Sequence, residues 1–281
     1  MTGSPLTETL GLIEPSRYRF GMRLADGTAG LLPAHELIHD RELLARQLEG
    51  AMGRWNLNRR EAATFMAGSY AWSVGGPAAA AYVLARRAPD VSPQNVLIGM
   101  EDGGILQVAL ARELFAALAS DPAAGHPGAT TLEDERGLLR WLRERLLEGL
   151  GPLIENAAGL ARVGTRMPWA RAADLVAHSF LVAGEDTAEQ PRYAGDAADF
   201  INAPSFAAGG GRTDFLFVER GGVRRAFLVR GACCGSFGKG AGYCDGCPAL
   251  SREERLKRAL NSLGSLVSPS RTGVRRDFRE G

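Results

Sequence analysis

The run DFLFVERGGVRRAFLVRGACCGSFGKGAGYCDGCP, residues 214–248, decides how the chain ends its fold. Phe215 to Val218 reads as a strand. Gly221-Gly222 is a two-residue hairpin signal, because both central positions of such a turn need positive φ. Val223 to Val229 is then the returning strand, and it delivers the chain to Cys233. Pro248 stops the following loop. Ser251 with Glu254 spells an S-x-x-E capping box for a helix running to about Leu263. The tail from Ser268 is rich in Arg and Gly and reads as flexible.

Upstream the pattern is mostly helical. After an irregular lead-in with short strands around Tyr18–Leu24, the spacing of Leu37, Leu43, Leu44 and Leu48 predicts a helix over 33–48. Asn58, with Glu61 three residues on, caps a helix from Ala62 to Ser73, and a second helical piece follows from Pro77 to Arg87 beyond the break at Gly75-Gly76-Pro77. Residues 88–93 read as a loop, Asn95 to Met100 as a strand, Ile105 to Ala119 as a helix and 121–130 as a loop. Leu138, Leu142, Leu146 and Leu150 mark an amphipathic helix from Thr131 to Glu148, with another turn or two over Pro152–Ala161. Pro168 opens a helix from Trp169 to Val182, and 184–213 reads as irregular. The fold class expected is α+β: a mostly helical body over 1–205, a small antiparallel sheet with the cysteine loop and a helix over 206–267, and a basic tail over 268–281.

Composition is that of an ordinary globular protein, with 45% apolar and 23% charged residues. A net charge of +1 gives no global case for a nucleic-acid or membrane partner. The charge is nonetheless uneven. Residues 201–281 hold 14 basic against 7 acidic side chains, and residues 1–200 hold 19 against 25. A basic final third suits an anionic ligand or partner there. Only Lys239 and Lys257 are lysines, which points to a GC-rich genome as a source of the arginine excess. Ala62 to Ala85 carries no charge, yet it is mostly Ala, Gly and Ser and too weakly apolar for a membrane span. The first ten residues show no signal peptide, so the expected compartment is the cytoplasm, where cysteines are kept reduced or bind metal.

All four cysteines, Cys233, Cys234, Cys244 and Cys247, fall within fifteen residues. Such clustering points to one metal site. The C-x-x-C half can bring two thiolates to one metal. The adjacent pair converges only if the backbone turns, and Gly235, Gly238, Gly240 and Gly242 follow at once. Four thiolates suit a [2Fe–2S] cluster, two per iron, and a Zn(Cys)4 site is the plainer alternative, although zinc ribbons usually present two C-x-x-C knuckles. Disulfides or redox thiols complete the set of readings.

The block from Arg230 through Cys233-Cys234 to Tyr243-Cys-Asp-Gly-Cys-Pro248 resembles the C-terminal signature of the FhuF-like ferric-siderophore reductases. Ser69-Tyr-Ala-Trp72 and Arg166-Met-Pro-Trp169 resemble that family's upstream helical regions more weakly. The resemblance implies a [2Fe–2S] cluster on Cys233, Cys234, Cys244 and Cys247, and one-electron reduction of Fe³⁺ in a siderophore, of hydroxamate type, with release of Fe²⁺. The gap between the cysteine pairs is nine residues, where the family usually has ten. No G-x-G-x-x-G follows a strand, so the electron is expected from an external donor such as a ferredoxin or an NAD(P)H-dependent reductase. Arg224, Arg225, Arg230 and Lys239 would face an acidic donor or anionic chelate, or simply water.

Trp72, Arg166 and Trp169 are candidate walls for a large anionic chelate; their plainer roles are core packing and helix capping. His35-Glu36-Leu37-Ile38-His39 is a literal H-E-x-x-H, but a third ligand is not evident downstream, and a helix with two surface histidines is the simpler reading. A zinc-stabilised binding module without redox chemistry and an iron–sulfur carrier or sensor remain the alternative functions.

Overall fold

The computed structural model describes residues 3–13, 18, 20–27, 30–207, 212–233 and 242–267. Cys234, Lys239, the glycines at 235, 238 and 240, and the tail 268–281 lie outside the described residues. The architecture is α+β, as the sequence leads one to expect. In chain order the elements are α1 (Pro5–Gly11), β1 (Arg23–Leu24), β2 (Leu32–Pro33), α2 (Ala34–His39), α3 (Arg41–Trp55), α4 (Arg59–Tyr70), a π-helical turn (Ala71–Gly75) and α5 (Gly76–Ala85). Next come β3 (Arg87–Pro89), β4 (Val96–Glu101), β5 (Gly104–Leu110), β6 (Phe115–Leu118), a 3₁₀ turn (Pro122–Gly125) and β7 (Ala129–Leu132). The remainder is α6 (Glu135–Ala161), α7 (Arg166–Ala183), α8 (Gln190–Ile201), α9 (Pro204–Ala207), β8 (Asp214–Arg220), β9 (Val223–Val229) and α10 (Arg252–Val267).

The sheet content exceeds the single antiparallel hairpin expected. Among the described residues a four-stranded sheet runs β1-β5-β4-β2, a three-stranded sheet runs β3-β6-β7, and β8-β9 stand apart. The first two are mixed, since β1 pairs with β5 and β6 with β7 in parallel. The helix expected over Ile105–Ala119 is instead β5 and β6. Asp102-Gly103, both at positive φ, turn β4 back on β5 as a hairpin, and the apolar run after them is a buried strand rather than a helix face.

The expected break at Gly75-Gly76-Pro77 is also corrected. The helix runs on from Arg59 to Ala85 through the π turn. Pro77 has no N–H, and the widened turn just before it places the ring in the first turn of the next segment, where no bond is lost. Likewise α6 continues for 27 residues through Pro152 instead of ending near Glu148. The stretch 184–213 is not irregular: α8 begins with Pro191 at its start and buries Tyr193, Ala194, Ala197, Phe200 and Ile201 at helical spacing.

The Asn58–Glu61 capping box forms in full, with Asn58 Oδ1 accepting from Glu61 N at 3.0 Å and Glu61 Oε2 accepting from Asn58 N at 2.8 Å. It starts α4 so that its small-residue face packs on α6 and α7. Ser69 and Ser73 bracket Ile105: Ser69 Oγ accepts its N–H at 2.9 Å and Ser73 Oγ donates to its carbonyl at 3.0 Å. These bonds tie the π turn to β5. A Cβ on Gly75 would meet Leu146 and Val176 at 3.1 and 3.2 Å, and one on Gly76 would come within 2.9 Å of the Phe20 ring. The turn is therefore packed on both sides without room for a methyl group. Gly76→Ala is expected to cost about 1–3 kcal/mol by overpacking. In urea this appears as a lower midpoint at unchanged slope.

Candidate functional site

The cysteine block is placed by the β8-β9 hairpin. Gly221 and Gly222 sit at φ 59° and 75°, giving the tight turn, and the strands pair from Asp214↔Val229 to Arg220↔Val223. One face packs under α10 through Val218, Ala259 and Leu263, and the other meets Leu181 and Ala194 of α7 and α8 through Ala226. At the edge of β9, Gln190 takes the place of a neighbouring strand. Its Nε2 donates to Ala226 O at 2.8 Å and its Oε1 accepts from Ala226 N at 2.9 Å.

Beyond β9 the chain passes Arg230, Gly231 and Ala232 to Cys233, which is exposed. The second arm returns at Gly242, whose φ of 72° is left-handed, and reaches Cys244 and the buried Cys247. Cys247 N donates to Cys244 O at 3.0 Å, closing a tight turn over Asp245-Gly246. Arg230 N donates to Gly246 O at 2.9 Å and so joins the two arms. A Cβ on Gly246 would lie 2.2 Å from Leu228 O, so this close approach admits only glycine.

Helix α10 holds the same arm from below. Ser251 Oγ accepts from Glu254 N at 3.1 Å, starting the helix where the sequence places it. Arg255 Nη1 donates to Cys247 O at 3.2 Å and Arg258 Nη1 to Tyr243 O at 2.8 Å, while Glu254 accepts from Arg258 at 3.1 Å. These arginines donate hydrogen bonds to backbone carbonyls of the cysteine segment. Arg224 and Arg225 lie beside the hairpin turn, about 20 Å of strand away from Arg230. Of the basic residues singled out from the sequence that are described, Arg230 is the one at the cysteine end.

The thiol donors and the closed C-x-x-C turn suit a thiolate-held metal. Cys234 lies outside the described residues, and among the described residues no three His, Cys, Asp or Glu side chains gather closely enough to hold a metal. For the H-E-x-x-H reading this is also the outcome. His35 and His39 sit on the six-residue α2, which ends at Asp40, and Asn156 Nδ2 donates to Ile38 O at 2.8 Å beside a cavity of about 70 Å³.

Trp72, Arg166 and Trp169 are not brought together. Trp72 occupies the π turn, stacked on His178 with ring centroids 5.9 Å apart and edge-on to Phe20 at 5.0 Å. Trp169 meets Phe206 edge-on at 5.5 Å and is part-buried, and Arg166 is exposed. Both precede His178 on α7, by nine and twelve residues, which is roughly 13 and 18 Å of helix. A separate open cleft of about 430 Å³ is lined by Tyr82, Asp134, Glu135, Arg136, Asp196 and Asp199, with Glu135 and Asp196 paired to Arg86.

A residue the sequence reading passed over is Asp174, in the middle of α7 and fully buried. Its Oδ1 accepts from Thr213 Oγ1 at 2.6 Å and Gly231 N at 2.7 Å, and its Oδ2 from Ala232 N at 3.0 Å. Burial raises its pKa above the usual carboxylate value, against the opposing pull of those three donors. The signal available in the sequence was a lone acid on the apolar face of Ala172-Ala173-Asp174-Leu175-Val176-Ala177.

One turn further along the same helix lies His178. Residues 67–213, more than half of the chain and running from the last turn of α4 to Thr213, match the family model described as ferric iron reductase FhuF-like transporter. The chain belongs to the FhuF-like family. The FhuF-like match ends just before β8 and so does not include the cysteines. No curated protein and no solved structure matches the chain. In spite of the word transporter, no helix among the described residues is long and apolar enough to cross a membrane.

His178 of this FhuF-like chain gives a pH test. Burial, helped by the charges of Arg230 and Arg171, pushes its pKa from 6.5 down to about 4. The unfolded chain therefore takes up a proton below pH 6.5 that the folded chain refuses until about pH 4. The stability due to neutral His178 is fully present above pH 6.5 and is lost as pH falls towards 4. In His178→Gln the loss of stability over that window should be shallower than in wild type. A wild-type imidazole NMR midpoint near 6.5 would contradict the enclosure.

Proposed function

We propose that this protein reduces ferric iron held by a siderophore, of the hydroxamate type, using a [2Fe–2S] cluster on Cys233, Cys234, Cys244 and Cys247 and an electron from an external donor. The observation that carries the reading is the match to the ferric iron reductase family over 67–213, followed directly by a hairpin whose end at Arg230 is hydrogen-bonded to Gly246 of the Cys244–Cys247 turn. We place the reaction in the cytoplasm, where such thiols are not oxidised to disulfides.

When bound, a [2Fe–2S] cluster supplies one electron at a time. The substrate chemistry asks for little more. Hydroxamate oxygens are hard ligands that hold Fe³⁺ far more tightly than Fe²⁺, so one electron per iron loosens the metal and leaves the chelator intact. No proton need move and no bond of the chelator need break. The electron comes from a ferredoxin or an NAD(P)H-dependent reductase.

The chain's own residues then hold and orient. Arg255 and Arg258 fix the Cys244–Cys247 turn through its carbonyls, and Gly246 lets it approach β9 closely. Arg230 presents positive charge at the cysteine end. Trp72, stacked on a His178 kept neutral by burial, offers an uncharged aromatic surface.

Protein reduced with dithionite and mixed anaerobically with a ferric trihydroxamate should be reoxidised within seconds, with Fe²⁺ captured by a ferrous-specific chelator. Cys234→Ala should lose this activity along with the cluster. Reduced protein that persists for minutes beside the chelate would leave an electron carrier or sensor as the better reading.

A further inference from the structure

We propose that Asp174 is a positioning residue for the cysteine site: its carboxylate grips the two amides that precede Cys233 and fixes where that arm leaves the helical body. A carboxylate buried among Ala172, Ala173, Val176 and Ala177 is costly unless donors surround it. Three do, and two of them are the main-chain N–H groups of Gly231 and Ala232, which can only donate. Both oxygens must therefore accept towards the arm.

The second, independent observation is the fit of Gly231. A Cβ there would stand 2.7 Å from Arg212 N and 2.8 Å from Thr213 N. The arm leaving β9 is thus pressed against the segment entering β8, and this contact lets one oxygen of Asp174 reach both Thr213 Oγ1 and Gly231 N. Asp174 also lies one helical turn from His178, on which Trp72 stacks. One helix therefore carries both His178, on which Trp72 stacks, and the anchor of the Cys233 arm, so the distance between His178 and that anchor is set by a rigid element. The buried carboxylate further holds acceptor charge on the amides one and two residues before Cys233, which disfavours adding an electron to a group held there.

The bearing on electron transfer rests on the proposed function, whereas the clamp itself does not, and two readouts separate them. The first is residue-resolved amide exchange on the full chain as purified. In wild type the Gly231 and Ala232 amides should exchange slowly. Asp174→Asn, which turns an amide group towards one of those donors, should speed their exchange about tenfold or more. The Arg230 amide, bonded to Gly246 O, should keep its protection. Fast wild-type exchange at 231 and 232, or equal loss along all of α7 in the variant, would overturn the clamp. Should Asp174→Asn fail to fold, the wild-type pattern decides alone.

The second readout is the midpoint potential and EPR spectrum of the loaded protein. Asp174→Asn should raise the potential and alter the spectrum. Thr213→Val, which removes one donor but leaves both amides bonded, should leave them near the wild-type values. Identical spectra and potentials in wild type and Asp174→Asn would sink the positioning role even if the protein were less stable. Were the cysteines to hold zinc, the exchange result would still stand or fall by itself.

Discussion

Two buried polar side chains join the hairpin to the helices, and the placement of the cysteines depends on them. Among the described residues neither β8 nor β9 enters another sheet. Asp174 satisfies Thr213, Gly231 and Ala232, and Gln190 satisfies both main-chain groups of Ala226. In an apolar interior an unpaired amide or carboxylate costs far more than a well-made bond returns, so this junction has one good geometry and poor alternatives. Apolar contacts alone would have allowed the hairpin to slide. The polar junction sets its register against α7 and α8, and from there the position of Cys233 follows.

The position of Trp72 is set by a backbone irregularity. The π turn at Ala71–Gly75 widens the helix just before Pro77 and carries Trp72 onto His178. Glycines at 75 and 76 allow Leu146, Val176 and Phe20 to close on it. A helix of uniform pitch would carry residues 59–71 and 77–85 in a different rotation. Trp72 and the Cys233 arm are thus both referred to one helix, Trp72 by stacking on His178 and the arm by its bonds to Asp174.

Much of this was legible in the sequence. The hairpin was, because Gly221-Gly222 allows few other turns. So were the capped starts at Asn58 and Ser251, because their side chains bond locally. The strands β5 and β6 were not, because an apolar run of that length fits a buried strand as well as a helix, and the deciding Asp102-Gly103 turn is two residues long. Helix α8 was hidden behind polar, Gly- and Pro-bearing flanks, although its buried positions recur at helical spacing. The role of Asp174 could not be read locally. Its partners lie 39, 57 and 58 residues away, and spacing within a helix says nothing of them. The separation of Trp72 from Trp169 along α7 is likewise a matter of packing, not of pattern.

The central claim is that the four cysteines hold an iron–sulfur cluster joined to the FhuF-like body. Iron, zinc and acid-labile sulfide counted in anaerobically purified protein test it most directly. The account predicts a red-brown protein with about two irons and two sulfides per chain. A colourless protein holding about one zinc and no sulfide would contradict it.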